Sequence, residues 1–303
     1  LAACVPPNAT RRAPVETATA APAADPQLLE DVRILSADDM EGRDTGSAGG
    51  ERARTYIVSR LDAMGVAPAP FGRLQPFEAQ GHTREGARTF NGVNIVGLIP
   101  GARVADRYVV VTAHYDHLGI RNGQVYPGAD DNASGVAALL AVARYVKAHP
   151  LRHEVIFVAF DAEELDLQGA QAFAARPPVP LGRVAIDVNL DMVSRSDRHE
   201  IFAAGTSYSP WLRPILAEVQ RRTSVKILLG HDRPAGPGSP LDDWTMESDH
   251  GVLHKAGVPF LYFGVEDHPD YHRVTDTADR IDRAFYWDVV EMILDTILTL
   301  DRR

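Results

Sequence analysis

Four short runs of the chain are almost wholly apolar: 108–113, 155–159, 184–190 and 259–263. A strand buried on both faces shows no alternation, so such runs predict the inner strands of a mainly parallel sheet. Between them, apolar residues recur at helical spacing. Leu28, Leu29, Val32 and Leu35 do so after Asp25-Pro26, which reads as an N-cap followed by a proline at the first helical position. Residues 51–64 place Ala53, Tyr56, Ile57, Leu61 and Met64 on one side, and Gly65 closes that helix. The stretch 132–146 is small or apolar up to Arg144 and predicts a buried helix. Two more are predicted at 211–219 and 249–256. The last, 286–300, sets Tyr286, Val289, Val290, Ile293, Ile297 and Leu300 along one face. Strands alternating with helices predict an α/β protein: a three-layer α/β/α sandwich around a central mixed, mainly parallel sheet. With no fixed-period repeat, residues 26–303 are expected to form a single domain.

Residues 5–25 depart from this pattern. They are mostly Ala, Pro and Thr with almost no large apolar side chain, and cannot bury enough surface to offset their ordering entropy. A disordered tether is expected there. The single cysteine, Cys4, rules out an intramolecular disulfide. Leu1-Ala2-Ala3-Cys4 resembles the lipobox of bacterial lipoproteins, which implies a lipidated Cys4 and a place in the cell envelope. Because Val5 rather than Asp follows, the expected place is the periplasm-facing side of the outer membrane, with a secreted or periplasmic soluble form as the alternative. No run approaches the roughly 20 apolar residues of a membrane span, so membrane contact is expected only through the lipid. The 303 residues are 45% hydrophobic and 24% charged, as in an ordinary globular protein. The net charge is −10, with no basic patch, which disfavours a nucleic-acid partner.

Chemistry-bearing residues gather just after the apolar runs. The first runs into His114-Tyr115-Asp116-His117, the second into Asp161-Ala162-Glu163-Glu164 and the third into Asp191. Open α/β sheets bind ligands at the carboxyl ends of their strands, so parallel neighbours would bring these groups to one rim. Several carboxylates in one place repel one another, and a multivalent cation is the simplest way to keep them ionised. Imidazole and carboxylate without thiolate suit zinc, with manganese or cobalt as substitutes. Two further segments fit the idea. Pro127-Gly128-Ala129-Asp130-Asp131 places adjacent acids before the buried helix, and His268-Pro269-Asp270-Tyr271-His272 supplies two imidazoles before the last one. Gly230 to Pro240 reads as a Gly- and Pro-rich surface loop, and Met40 to Gly46 as a polar, Gly-containing one.

Six motifs together resemble the dizinc exopeptidases of metallopeptidase family twenty-eight, most of all their bacterial aminopeptidases. They are His114-x-Asp116, Gly128-Ala129-Asp130-Asp131-Asn132-x-Ser134-Gly135, Glu163-Glu164, Asn189-Leu190-Asp191-Met192, Ser248-Asp249-His250, and Tyr271-His272 followed by Asp276-Thr277. Each is weak alone, but all six stand in family order from about residue 35 to about 281. The resemblance implies that His114 and Asp191 bind one zinc, Glu164 and His272 the other, and Asp131 bridges the two. It also implies that Asp116 orients His114, that Glu163 is the general base acting on a water activated by two zinc ions, and that the Tyr271 hydroxyl assists the oxyanion. His117 departs from the commonest pattern, in which Ser follows Asp116. It is open between support of the ligands, contact with substrate and an ordinary surface histidine.

The implied substrate is a peptide with a free N-terminus. A carboxypeptidase or a glutaminyl cyclase of the same fold is the alternative, because these share many ligand positions. The absence of a large inserted domain favours the aminopeptidase. A binding protein on a dead scaffold is disfavoured, because all five ligand positions and Glu163 are filled. Met192 and Leu261-Tyr262-Phe263 are candidates to line a side-chain pocket, with core packing as their other role. The preferred N-terminal side chain and the oligomeric state are not legible in the sequence.

Overall fold

The computed structural model describes residues 26–83, 86–103, 106–233 and 242–303. Cys4, the 5–25 tether, the Asp25 cap and most of the Gly230 to Pro240 loop lie outside the described residues. The elements in order are α1 (Pro26–Leu35), α2 (Ala48–Ala63), β1 (Ala67–Pro68), β2 (Leu74–Thr83), β3 (Gly86–Ile99), β4 (Tyr108–His114), β5 (Ile120–Arg121), β6 (Gln124–Val125) and α3 (Gly135–Ala148). Then come β7 (Glu154–Phe160), α4 (Gln168–Ala175), β8 (Val184–Leu190), β9 (Glu200–Ala204), α5 (Leu212–Gln220), β10 (Lys226–Leu229), α6 (His250–Lys255), β11 (Phe260–Gly264) and α7 (Arg283–Asp301). No helix among the described residues is long and apolar enough to cross a membrane.

Among the described residues, nine strands form one mixed sheet in the order β1-β3-β7-β4-β8-β11-β9-β10, with β2 also paired to β3. The four expected inner strands, β7, β4, β8 and β11, are its parallel centre. Each sends alternate side chains to opposite layers, which is why their sequences are apolar throughout. Val109, Val111, Val155 and Phe157 face the layer of α1, α2, α3, α5 and α7. Val110, Ile156, Val158 and Phe160 face α4 and α6. The architecture is the expected three-layer sandwich.

Several helices begin where a side chain satisfies their free amides. Ser47 accepts from Gly50 N at 3.0 Å, so α2 starts three residues before the expected boundary. Asp282 accepts from Ala284 and Phe285 N, both at 3.1 Å, and starts α7. The buried helix starts at Gly135 rather than at residue 132. Asp131 and Asn132 take non-helical backbone angles (φ −104°, ψ 95° and φ −131°, ψ 43°), and Asn132 Oδ1 caps Gly135 N at 2.9 Å. This early stop matters for the site.

The layer under α6 holds a buried acid away from that site. Asp187 accepts a hydrogen bond from Thr112 at 2.9 Å, its second oxygen has no partner, and burial pushes its pKa up to about 7. An acid with a raised pKa in the folded state favours folding below its unfolded value and loses that advantage as pH rises towards the folded value. Stability should therefore fall between about pH 4 and pH 7, by up to roughly 1.4 kcal/mol per unit from this group. Asp187→Asn, uncharged at every pH, is expected to flatten that slope. Denaturant melts at pH 5 and pH 8 check it: the variant should gain on the parent at pH 8, and a pH-independent difference contradicts the account.

Candidate metal centre

The carboxyl ends of the four parallel strands bring the candidate residues together. His114 ends β4, Glu163 and Glu164 follow β7, Asp191 follows β8, and the segment 265–272 follows β11. The irregular segment 129–134 crosses this rim. There, nearly extended backbone turns the adjacent acids apart. Asp130 faces inward, accepting from Ser194 N at 2.9 Å and Ser194 Oγ at 2.6 Å, with His268 Nε2 3.1 Å away. Asp131 faces the rim.

The two oxygens of Asp131 reach two different groups. Oδ1 lies 3.5 Å from His114 Nε2, which is 3.3 Å from Asp191 Oδ1. Oδ2 lies 3.0 Å from His272 Nε2, which is 3.5 Å from Glu164 Oε1. Within each group the donor atoms are mutually close enough to share a cation. His117, which the sequence left open, belongs to the second group: it is fully buried, with Nδ1 2.8 Å from Glu164 Oε1 and 3.7 Å from Asp131 Oδ2. Glu163 belongs to neither group, though its Oε2 is 4.0 Å from His114 Nε2.

The donor set fits a pair of divalent cations. His117 Nδ1 and Glu164 Oε1 are buried without a hydrogen-bond partner, which is costly unless something else satisfies them. The charges show the same need. Burial alone would lower the pKa of His114, but Glu163 and Asp191 hold it well above the imidazole range. Burial likewise opposes charge on His272, yet Asp131 and Glu164 raise it to about 10. Burial would raise Glu164, but His117 and His272 pull it far down. Protons on His114 and His272 thus balance the acids, a task that metal ions perform while leaving imidazole neutral. Glu163 goes the other way, pushed well up by burial against the pull of His114.

Buried polar groups behind the rim hold its loops. The Asp116 carboxylate accepts Glu163 N at 3.1 Å and Glu164 N at 3.2 Å. The nearest contact to His114 Nδ1 is the Asp116 backbone oxygen at 3.2 Å, with the carboxylate at 3.7 Å, so this acid steadies the glutamate pair as much as the histidine. Asp161 accepts from Thr45, Tyr115 and Val93 N, each at 2.9 Å. Asp276 holds the amides of Asp130 and Asp131 at 3.1 Å.

Arg43 lies in the Met40 to Gly46 stretch, which forms a 3-10 turn (Asp38–Arg43) rather than an open loop. The side chain is 0% exposed and donates to the carbonyls of Tyr115, Leu35, Pro127 and Gly128 at 2.6–2.8 Å. It ties the loop after His114 to the loop before Asp131. Burial lowers its pKa to about 10, while Asp131 and Asp276 oppose that shift. A polar loop arginine gives no sequence signal of such burial. Gly128 shows how tight the junction is: its φ is +57°, and a Cβ there would meet Asp131 O at 2.1 Å and the His117 ring at 2.5 Å.

The rim opens into a cavity of about 480 Å³. His114, Asp131, Glu163, Glu164, Asp191 and His272 line its floor, and Met192, Trp244, Tyr262, Val265 and Tyr271 line its walls. The mouth adds Asp242, Asp243, Glu247 and Asp267, with no Lys or Arg among the described lining residues. Tyr271 stacks on His272, ring centres 3.9 Å apart, and burial raises its pKa so that the hydroxyl stays protonated. Of the other pocket candidates, Leu261 and Phe263 pack in the core instead.

Known proteins resemble this chain in sequence and in fold. Aminopeptidase YwaD of Bacillus subtilis (strain 168) is 31% identical over 203 residues, which cover 63% of this chain and 40% of YwaD. The matched region thus spans about two fifths of that relative. Among solved structures, the aminopeptidase from Aneurinibacillus sp. strain AM-1 superposes with a TM-score of 0.74 at 16% identity, covering 89% of this chain and 92% of that one. Porphyromonas gingivalis glutaminyl cyclase superposes at 0.72 and 20% identity, covering 89% and 96%. These two show a shared fold. The sequence model of peptidase family M28 matches residues 94–297, about two thirds of the chain and all six motifs, and the chain belongs to that family.

Proposed function

We propose that the protein is a zinc-dependent aminopeptidase that hydrolyses the N-terminal bond of peptides with a pair of metal ions. The carrying observation is Asp131, whose two oxygens serve two donor groups at the floor of one cavity. Bound there, the metals supply Lewis-acid activation of water and of the scissile carbonyl. His114, Asp131 and Asp191 would hold one ion, and Asp131, Glu164 and His272 the other.

Glu163 stands beside these groups without joining them. Burial makes its carboxylate a better base than an exposed glutamate, suited to taking the proton of the attacking water and passing it to the leaving amine. Asp116 fixes its backbone, and hence where that proton is handled. Tyr271, a protonated hydroxyl on the cavity wall, is placed to donate to the carbonyl oxygen as negative charge develops.

The charge of the mouth supports recognition of an amine over a carboxylate. Four acids complement a protonated α-amine, whereas a carboxypeptidase would need a cation for the substrate's terminal carboxylate, and the described lining holds none. Nearby Arg195 is already paired with Asp270 at 2.8 Å. A panel of substrates tests this reading. Aminoacyl anilides with a free amine are expected to be cleaved, and their N-acetyl forms at least about a hundredfold more slowly, the loss of close to 3 kcal/mol of recognition. Chelation should abolish the activity and zinc restore it. Equal rates on blocked or C-terminal substrates would refute the assignment. Cyclisation of N-terminal glutaminyl peptides without hydrolysis would replace it with the cyclase alternative.

A further inference from the structure

His114 and His117, three residues apart, send their rings to different donor groups. Resting on the two-metal reading, we infer that His117 is a fourth protein ligand at one of the two positions, so that the metal pair is unequal. One position is closed by His117, Asp131, Glu164 and His272. The other, with His114, Asp131 and Asp191, is open.

The distances carry this. A tetrahedral zinc with bonds of about 2.0–2.1 Å to nitrogen and oxygen needs donors about 3.3 Å apart. In the closed group the separations are 2.8 Å (His117 to Glu164), 3.0 Å (His272 to Asp131), 3.5 Å (His272 to Glu164) and 3.7 Å (His117 to Asp131), which straddle that value. At 2.8 Å a hydrogen bond between His117 Nδ1 and Glu164 Oε1 would be expected, yet both atoms lack the alignment for one. Among the described residues neither ring nitrogen of His117 has a hydrogen-bond partner, so none of these residues competes for Nδ1.

His117 is also 0% exposed in its side chain and absent from the cavity wall, which removes substrate contact from its possible roles. The open group offers three donors, with His114 Nε2 at 3.3 and 3.5 Å from Asp191 and Asp131, and it lies next to Glu163. Four protein ligands characterise sites that hold zinc permanently, and three with an open position characterise sites that work on substrate. The closed position should therefore fill first and tightly, and the open one should exchange.

X-ray absorption on the full chain loaded with one and then two equivalents of zinc tests this without any substitution. The first equivalent is expected to show two imidazoles, and the second to lower the average. His117→Gln and His117→Ala should weaken the first zinc more than about tenfold in a competition titration, since even groups one step behind the ligands are worth that much. They should also change the absorption spectrum of the first cobalt equivalent. A first zinc with a single imidazole, or a His117→Gln protein that binds it as the parent does, overturns the inference and leaves the peptidase reading intact. A chain that takes up no zinc overturns both.

Discussion

Glu163→Gln is expected to keep the fold and the bound zinc while lowering turnover of an aminoacyl anilide by about a thousandfold, roughly 4 kcal/mol of transition-state stabilisation. Glutamine has nearly the same shape, and the held group at this position is the backbone amide, bonded to Asp116 at 3.1 Å. Neither donor group includes Glu163, so metal content should be unaffected. What disappears is the only property that glutamine cannot copy, a proton acceptor beside the open group. Zinc analysis, circular dichroism and single-substrate kinetics on the same preparation provide the check. A metallated variant with near-parental turnover would transfer the role of base to another residue.

Asp131→Ala should have the largest effect on the metals, because one substitution removes a ligand from both groups. Zinc retained after dialysis should fall well below one ion per chain, and activity should fall with it. Any ion that remains belongs at the closed position, where His117, Glu164 and His272 still converge. The adjacent acid gives the contrast. Asp130 is held by Ser194, Ser134 and His268 and points away from the rim. Asp130→Asn should therefore lower the melting temperature and leave zinc stoichiometry at the parental value. The opposite order in the two variants would mean that the wrong acid has been given the bridging position.

The inner strands were legible in the sequence because burial on both faces removes polar residues from them, and the rim residues because they follow those strands directly. The outer half of β3 is solvent-exposed, and β2 beside it carries Gln75, Glu78 and Gln80, so the apolar run in that pair is limited to the short stretch 95–99. The short strands β9 and β10 and the helix α4 fall below the length at which period can be read. At the site, His114, Glu163, Glu164, Asp191 and His272 could be placed on one rim from their positions after strands and from the family resemblance. The burial of His117 could not, because a histidine beside an aspartate reads the same whether it faces solvent or a ligand cluster. The start of α3 was misplaced for a related reason. Small residues before Gly135 look helical, whereas the hold of Asp276 on the amides of residues 130 and 131 comes from 146 and 145 residues away.

The tie made by Arg43 also separates the stretch that identifies the family from the stretch that folds. The family match begins at Asn94, inside β3 and some fifty residues after Arg43. A shorter protein cut to that boundary would strip α1 and α2 from one layer and split β3. It would also leave three buried carbonyls, those of Tyr115, Pro127 and Gly128, without their shared donor. All three lie in the loops that carry the two donor groups. The signature of the family and the length of chain that holds these loops together thus differ, and the segment outside the signature acts as the keel of the part within it.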